Sequence, residues 1–341
     1  MTPVIEIDAV SVVFGDAPQR ALPLMDQGAD RAEVLRETGQ TLGVHDCSLT
    51  VAEGEILVLM GLSGSGKSTL LRAINGLNPV VRGAVRLRDC ESMVDVTRAD
   101  AASLRHLRLA RVAMVFQQFG LLPWRTVAEN VGLGLELAGV SETTRRARVA
   151  AELERVGLDG QGKRRVSGLS GGMQQRVGLA RAFVTDAPVL LLDEPFSALD
   201  PLIRARLQDD LLALQRDLRR TMVFVSHDLD EAFKLGSRIA LMEGGRLVQV
   251  GTAREIIAAP ANAYVADFVA HMNPLTVLTA EDVMVPGLAA EGAALPADLP
   301  VKEVMARVLQ AGHPLPVVGQ GRRLGAVTRE ALLSRLIGVA A

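Results

Sequence analysis

One stretch constrains this chain more than any other. The apolar run Ile56-Leu-Val-Leu-Met60 passes directly into Gly61-Leu-Ser-Gly-Ser-Gly-Lys67-Ser68 and then into the helix-forming Thr69-Leu-Leu-Arg-Ala-Ile74. A strand, a glycine-rich turn and a helix in immediate succession form the setting in which G-x-x-x-x-G-K-[ST] binds phosphate. The glycines let backbone N–H groups converge on anionic oxygens, and the helix N-terminus adds the positive end of its dipole. Lys67 is expected at the β- and γ-phosphates and Ser68 on Mg²⁺, with Gly61, Ser63, Gly64, Ser65, Gly66 and Thr69 completing the nucleotide contacts.

A second apolar run, Val189-Leu-Leu-Leu192, ends in Asp193-Glu194. Ligands of parallel α/β sheets bind at strand C-termini, so both carboxylates are expected beside the glycine loop. Asp193 is placed to hold Mg²⁺, and Glu194 to polarise the attacking water as general base. Further apolar strands at Val112–Phe116, Met222–Val225 and Ile239–Met242 alternate with helix-length segments, which predicts a parallel sheet covered by helices.

Hydrophobic residues make up 49% of the 341 residues but aromatics only 3%, so the core is aliphatic, as parallel strands buried on both faces require. Upstream, Val4 to Phe14 alternates as a strand. Residues 16–43 have helical spacing ending at Gly39 and are expected as an inserted helix, followed by a short strand around Leu49-Thr-Val51. Helical spacing dominates 127–182. The Ala/Gly/Pro-rich stretch from Val285 to Pro300 is expected as a linker to a small tail module.

No apolar stretch approaches the ~20 residues that cross a bilayer, and the start lacks the long apolar run of a signal peptide, so a cytosolic chain is expected. Two cysteines, Cys47 and Cys90, fit reduced thiols. The net charge of −2 supplies no positive field for nucleic acid.

Leu169-Ser170-Gly171-Gly172-Met173-Gln174-Gln175 lies upstream of the acidic strand and resembles the signature motif of the ABC (ATP-binding cassette) family. Physically it is a second anion site: a serine hydroxyl, glycine N–H groups and a helix start. The resemblance runs from about Val4 to Pro274. It implies a P-loop NTPase fold with a parallel core sheet, a helical subdomain and an antiparallel N-terminal β-subdomain. It also implies ATP and Mg²⁺ as ligands, and a homodimer in which Ser170, Gly171 and Gly172 face the γ-phosphate bound by the other subunit.

By the same resemblance Gln117 is the glutamine that senses Mg²⁺ and water, Asp200 in Ser197-Ala-Leu-Asp200 belongs to the loop at the dimer interface, and His227 is the switch histidine on the γ-phosphate. Phe14 is the aromatic that stacks on adenine, and the ribose-side contact of the signature falls to Gln174 or Gln175. A membrane permease is implied as partner, its coupling helix received near Gln117–Arg125 around Trp124. That places the chain peripherally on the cytoplasmic side of the cell membrane, with an extracytoplasmic substrate-binding protein as an indirect partner.

Met60–Gly66, Phe116–Arg125, Asp200-Pro-Leu-Ile-Arg204, Ser226–Glu231 and Pro260–Tyr264 resemble the ATPases of glycine betaine and choline importers more closely than cassettes in general. Another importer substrate (an amino acid, another amine or a sulfonate) and a soluble non-transport cassette ATPase are the alternatives. The solute itself is not expected to bind this chain: a quaternary ammonium needs a cage of aromatic rings, and one Trp, one Tyr and eight Phe are scattered here. The expected division is a nucleotide-binding domain over 1–274, a linker over 275–299, and a single CBS-like repeat over 300–341.

Overall fold

The computed structural model describes residues 2–270 and 277–338. The expected boundary at Pro274 lies outside the described residues. In chain order the strands of the larger part are β1 (Pro3–Phe14), β2 (Thr41–Ala52), β3 (Ile56–Met60), β4 (Arg82–Asp89), β5 (Ser92–Asp95), β6 (Val112–Val115), β7 (Val189–Asp193), β8 (Thr221–Val225), β9 (Arg238–Glu243) and β10 (Arg246–Gly251). Two sheets result, ordered β2-β1-β4-β5 and β10-β9-β3-β8-β7-β6.

The first sheet is antiparallel through β1 against β2 and β4, and β4 against β5. In the second, β3, β8, β7 and β6 pair in parallel. Every residue of β3, β7 and β8 is buried, which is why these strands read as unbroken apolar runs rather than alternating ones. The register Asp193↔Val225 and Leu59↔Val225 aligns the C-terminal ends of β3, β7 and β8, and the loops that leave those ends converge. Between Val127 and Phe183 the chain forms the helices Val127–Val131, Leu133–Leu137, Glu142–Arg155 and Gly171–Phe183.

The insertion departs from the expectation of one helix over 16–43. It forms a 3-10 turn (Pro18–Ala21), a short helix (Leu22–Asp26) and the helix Arg31–Thr38, and β2 already begins at Thr41. Asp30 caps the last helix by accepting from Glu33 N, and Gly39 ends it in the left-handed conformation. The strand expected only around Leu49–Val51 is thus far longer. Its first half was masked because polar His45 and Asp46 interrupt the alternation. Pairing with β1 from Phe14↔Thr41 to Pro3↔Ala52 holds it together through register shifts, with Asp46 at φ 50°.

The chain divides into two compact units, residues 1–227 with 240–247, and residues 228–239 with 248–341. The second unit contains the helices Leu229–Leu235, Ala253–Ala258, Ala263–Ala270 and Ala280–Val283, then β11 (Val285–Pro286), β12 (Leu295–Pro296), the helix Val301–Ala311, β13 (Leu315–Gly319), β14 (Arg322–Val327) and the helix Arg329–Gly338. Its sheet is ordered β11-β14-β13-β12.

The expected linker is therefore corrected: β11 and β12 are the two edges of this sheet, and Leu278, Ala280, Val283 and Leu295 are buried in its core with Val301, Val304 and Val317. Proline lacks an N–H and is tolerated on edge strands, so Pro286 and Pro296 gave these residues the look of a loop.

Candidate nucleotide-binding site

The turn after β3 is shaped by sterics. At Gly61, with φ +141°, a Cβ would sit 2.1 Å from Met242 O, and at Gly66, with φ +104°, it would sit 2.6 Å from Gly43 O. No side chain fits at either position, so the backbone itself forms the loop surface. Gly66 caps the helix Lys67–Ile74. Lys67 Nζ curls back and donates to Gly61 O (2.7 Å) and Leu62 O (3.0 Å). Burial holds its pKa below the usual lysine range, partly offset by Glu194 and Asp193. Ser65 Oγ is buried without a hydrogen-bond partner, and a Cβ at Gly64 would meet nothing. An orphaned hydroxyl in an open glycine loop at a helix start is a cradle suited to phosphate oxygens.

At the end of β7, Asp193 is fully buried. Its Oδ1 accepts from Ser68 Oγ at 2.7 Å and its Oδ2 from an Arg72 guanidinium nitrogen at 2.9 Å. Ser68 and Arg72 are four residues apart on one helix face, and that spacing brings both to the same carboxylate. Glu194 follows with φ 49°, a left-handed conformation uncommon for a residue with a side chain. Its N–H donates to Val225 O. Its Oε2 accepts from Gln117 Nε2 at 3.2 Å and lies 3.6 Å from His227 Nδ1.

A cavity of about 830 Å³ joins these parts and is lined by Phe14, Ser63, Gly64, Gly66, Lys67, Ser68, Thr69, Gln117, Glu194 and His227. Gly61 and Asp193 are joined to the lining residues Lys67 and Ser68 by the hydrogen bonds above, and Ser65 lies between the lining residues Gly64 and Gly66. Phe14, at the end of β1, is 39% exposed, and its ring lies so close to Gly43 that a Cβ there would meet it at 2.9 Å.

Ser170, Gly171, Gly172 and Asp200 do not line this cavity. Ser170 is exposed and caps the helix Gly171–Phe183 by accepting from Met173 N. Asp200 caps the helix Pro201–Leu218 by accepting from Ile203 N at 3.0 Å.

Gln174 and Gln175, expected on the ribose side, both bond within their own chain. Gln174 Nε2 donates to Val166 O and Leu169 O. Gln175 is 1% exposed; its Nε2 donates to Glu194 O and its Oε1 accepts from Ala198 N. Both atoms of the Gln175 amide are thus committed to the segment between Glu194 and Asp200.

Sequence reasoning missed Arg72 and Arg31, and named Gln175 without its bonds to Glu194 O and Ala198 N. The Ser68/Arg72 spacing was a usable signal. Arg31 gave none, because its guanidinium donates to Gly64 O and Gly43 O from a helix whose position no local pattern encodes.

Known proteins are similar to this chain. Residues 44–197 match the family model described as "ABC transporter". Over 279 residues the chain is 47% identical to the glycine betaine/proline betaine transport system ATP-binding protein ProV of Escherichia coli (strain K12), a match covering 82% of this chain and 69% of that protein. It is 40% identical over 337 residues to the trimethylamine N-oxide transport system ATP-binding protein TmoW of Ruegeria pomeroyi, covering 98% of each. A solved dimeric post-hydrolysis state of an ATP-binding cassette bound to ADP and Pi superposes with a TM-score of 0.63 at 28% identity, covering 73% of this chain and 98% of that one. With the glycine loop, the acidic strand end and this likeness along most of its length, the chain belongs to the ABC transporter family, among its ATP-binding, ATP-hydrolysing subunits.

Proposed function

We propose that this chain energises uptake of a quaternary ammonium compound, of the glycine betaine and choline kind, by hydrolysing ATP against a membrane permease. The observation that carries the hydrolytic part is the meeting of Gln117, Glu194 and His227 at the rim of the cavity that holds Lys67 and Ser68. The solute class rests on the relatives named for glycine betaine and trimethylamine N-oxide transport.

In this reading Lys67, the loop N–H groups and Ser65 bind the β- and γ-phosphates, and Phe14 stacks on the base. Ser68 and Asp193 are oxygen donors of the kind Mg²⁺ prefers, and they would hold it with Gln117, where it would neutralise phosphate charge. Glu194 takes the proton of the attacking water, and His227 hydrogen-bonds the γ-phosphate. Two copies close head to tail, so that the γ-phosphate bound by Lys67 of one subunit meets the exposed Ser170, Gly171 and Gly172 of the other, with Asp200 at the interface. Hydrolysis removes that bridge and the pair opens, which resets the permease.

Trp124, 65% exposed, belongs to the surface near Gln117–Arg125 that receives the permease. Among the described residues no helix is long and apolar enough to cross a membrane, which fits a peripheral subunit on the cytoplasmic side. We read the nucleotide-binding domain as ending near Pro274. The order β12, helix, β13, β14, helix, with β12 parallel to β13 and β13 antiparallel to β14, supports a single CBS-like repeat in the tail.

Trimethylamine N-oxide is a second reading of the solute, favoured because the TmoW match extends through the tail. The test is reconstitution of the chain with its permease and extracytoplasmic binding protein in vesicles containing Mg-ATP. Uptake of labelled glycine betaine, choline or trimethylamine N-oxide, coupled to phosphate release, is the expected result. ATP hydrolysis stimulated by none of the three, but by an amino acid or a sulfonate, overturns the solute class.

A further inference from the structure

The phosphate loop accounts for only part of the cavity. Arg31, Ala32 and Leu35 line it too, and all three belong to the inserted helix Arg31–Thr38. Leu35 is the i+4 neighbour of Arg31 and the i+3 neighbour of Ala32 on this helix. Val34, one step around the helix, is fully buried in a small core with Val13, Ala21, Met25 and Leu42. The helix is therefore anchored by Val34 and presents a different face to the cavity. Leu35 is 49% exposed and Phe14 39%, so two large apolar side chains line the same space as the phosphate loop.

Arg31 ties this helix to the loop. Its guanidinium donates to Gly64 O and Gly43 O. A Cβ at Gly66 would lie 3.2 Å from the same guanidinium, and one at Gly245 would lie 2.9 Å from it. The absence of a side chain at both positions lets the guanidinium pack closely against them. Gly64 and Gly66 are themselves part of the phosphate loop, so the arginine joins the insertion to the element that grips the nucleotide.

We propose that the inserted helix is the second wall of the nucleobase slot, with the base and ribose of ATP held between Phe14 and the Ala32/Leu35 face, and with Arg31 as the positioning residue that locks this wall to the phosphate loop. The inference rests on the reading of the cavity as an ATP site. A nucleotide extends beyond its phosphates, and a purine presents flat apolar faces. In a cavity continuous with the loop, Phe14 and Leu35 are the exposed large apolar surfaces it can cover.

The experiment is equilibrium binding of Mg-ATP and of Mg-tripolyphosphate, which lacks base and ribose, to the full-length chain. Leu35→Asp is expected to weaken Mg-ATP by about tenfold while tripolyphosphate stays within about twofold, and Leu35→Phe to bind ATP at least as tightly as the parent. In the permease-coupled ATPase, Arg31→Ala is expected to raise KM for ATP about fivefold or more with kcat held within about twofold, and Arg31→Lys to recover part of that rise. Unchanged ATP binding by Leu35→Asp, or equal loss of both ligands, overturns the wall and leaves the ATPase reading standing. A parent chain that binds neither ligand overturns that reading and the wall with it.

Discussion

Gln117 and Glu194, 77 residues apart in the chain, meet at 3.2 Å where the ends of β6 and β7 open into the cavity. The amide donates to Oε2, the same oxygen that His227 approaches from the end of β8. One carboxylate oxygen is thus addressed from two neighbouring segments, which orients it without burying it completely. A general base has to be held in this way while a water molecule can still reach it.

Replacing Glu194 with Gln keeps the shape and removes the carboxylate proposed as base. ATP binding is expected to persist while turnover falls by about 10² or more, and ATP-bound dimer should accumulate. Phosphate release and gel filtration in Mg-ATP measure the two effects. A variant that still hydrolyses at the parental rate removes Glu194 from the role.

Asp193 bonds Ser68 and Arg72 at once, so Asp193→Asn is expected to act on metal use first. The Mg²⁺ concentration for half-maximal hydrolysis should rise by about tenfold or more, the scale of losing a group that supports a metal. ATP binding in EDTA should change little. A titration of activity against Mg²⁺ checks this, and an unchanged midpoint argues against Asp193 as a ligand.

Gln175 is buried, and its amide is shared between Glu194 O and Ala198 N. Truncation to Ala removes the acceptor of Ala198 N and one donor to Glu194 O, which keeps Ser197, at a cost of about 1 kcal/mol for the hydrogen bonds lost. The expected result is a lower Tm together with reduced kcat, because the backbone on which Glu194 sits has lost its tether. A loss of Tm with kcat intact would confine Gln175 to a purely structural role.

The cysteines should separate by reactivity. Burial pushes the Cys47 thiol up from 9.0 to about 11, whereas Cys90 is exposed. Iodoacetamide at about pH 8.5 is expected to label Cys90 and spare Cys47 until the chain is unfolded, as read by mass spectrometry of peptides. Because the folded-state value is raised, the stability tied to the neutral Cys47 thiol is present below pH 9.0 and is lost as pH rises toward about 11. An alkaline unfolding transition that weakens in Cys47→Ala is the matching observation.

The long β2 strand and the tail mark where local patterns misled. Asp46, at φ 50°, breaks the alternation of a strand that pairing with β1 nevertheless carries through. Pro286 and Pro296 resemble loop residues, and only the sheet order β11-β14-β13-β12 reveals that each sits on an edge. The hydrogen-bonding capacity of Gln175 is visible in sequence, while its partners Glu194 O and Ala198 N are not.

What the amino-acid order determined by itself was every feature confined to one contiguous segment: the strand, glycine turn and helix around Lys67, the acidic end of β7, the capped helix after Ser170, and the aliphatic character of a doubly covered sheet. In each of these the residues that act together are within about one helical turn or one strand of each other, so backbone geometry alone sets their spacing. Tertiary structure decided which distant segments share a space. It brought Gln117 and His227 to Glu194, Gln175 beneath it, and Arg31 onto the glycine loop. Those meetings depend on sheet register and on the packing of an inserted helix, where burial rather than periodicity chooses the partner.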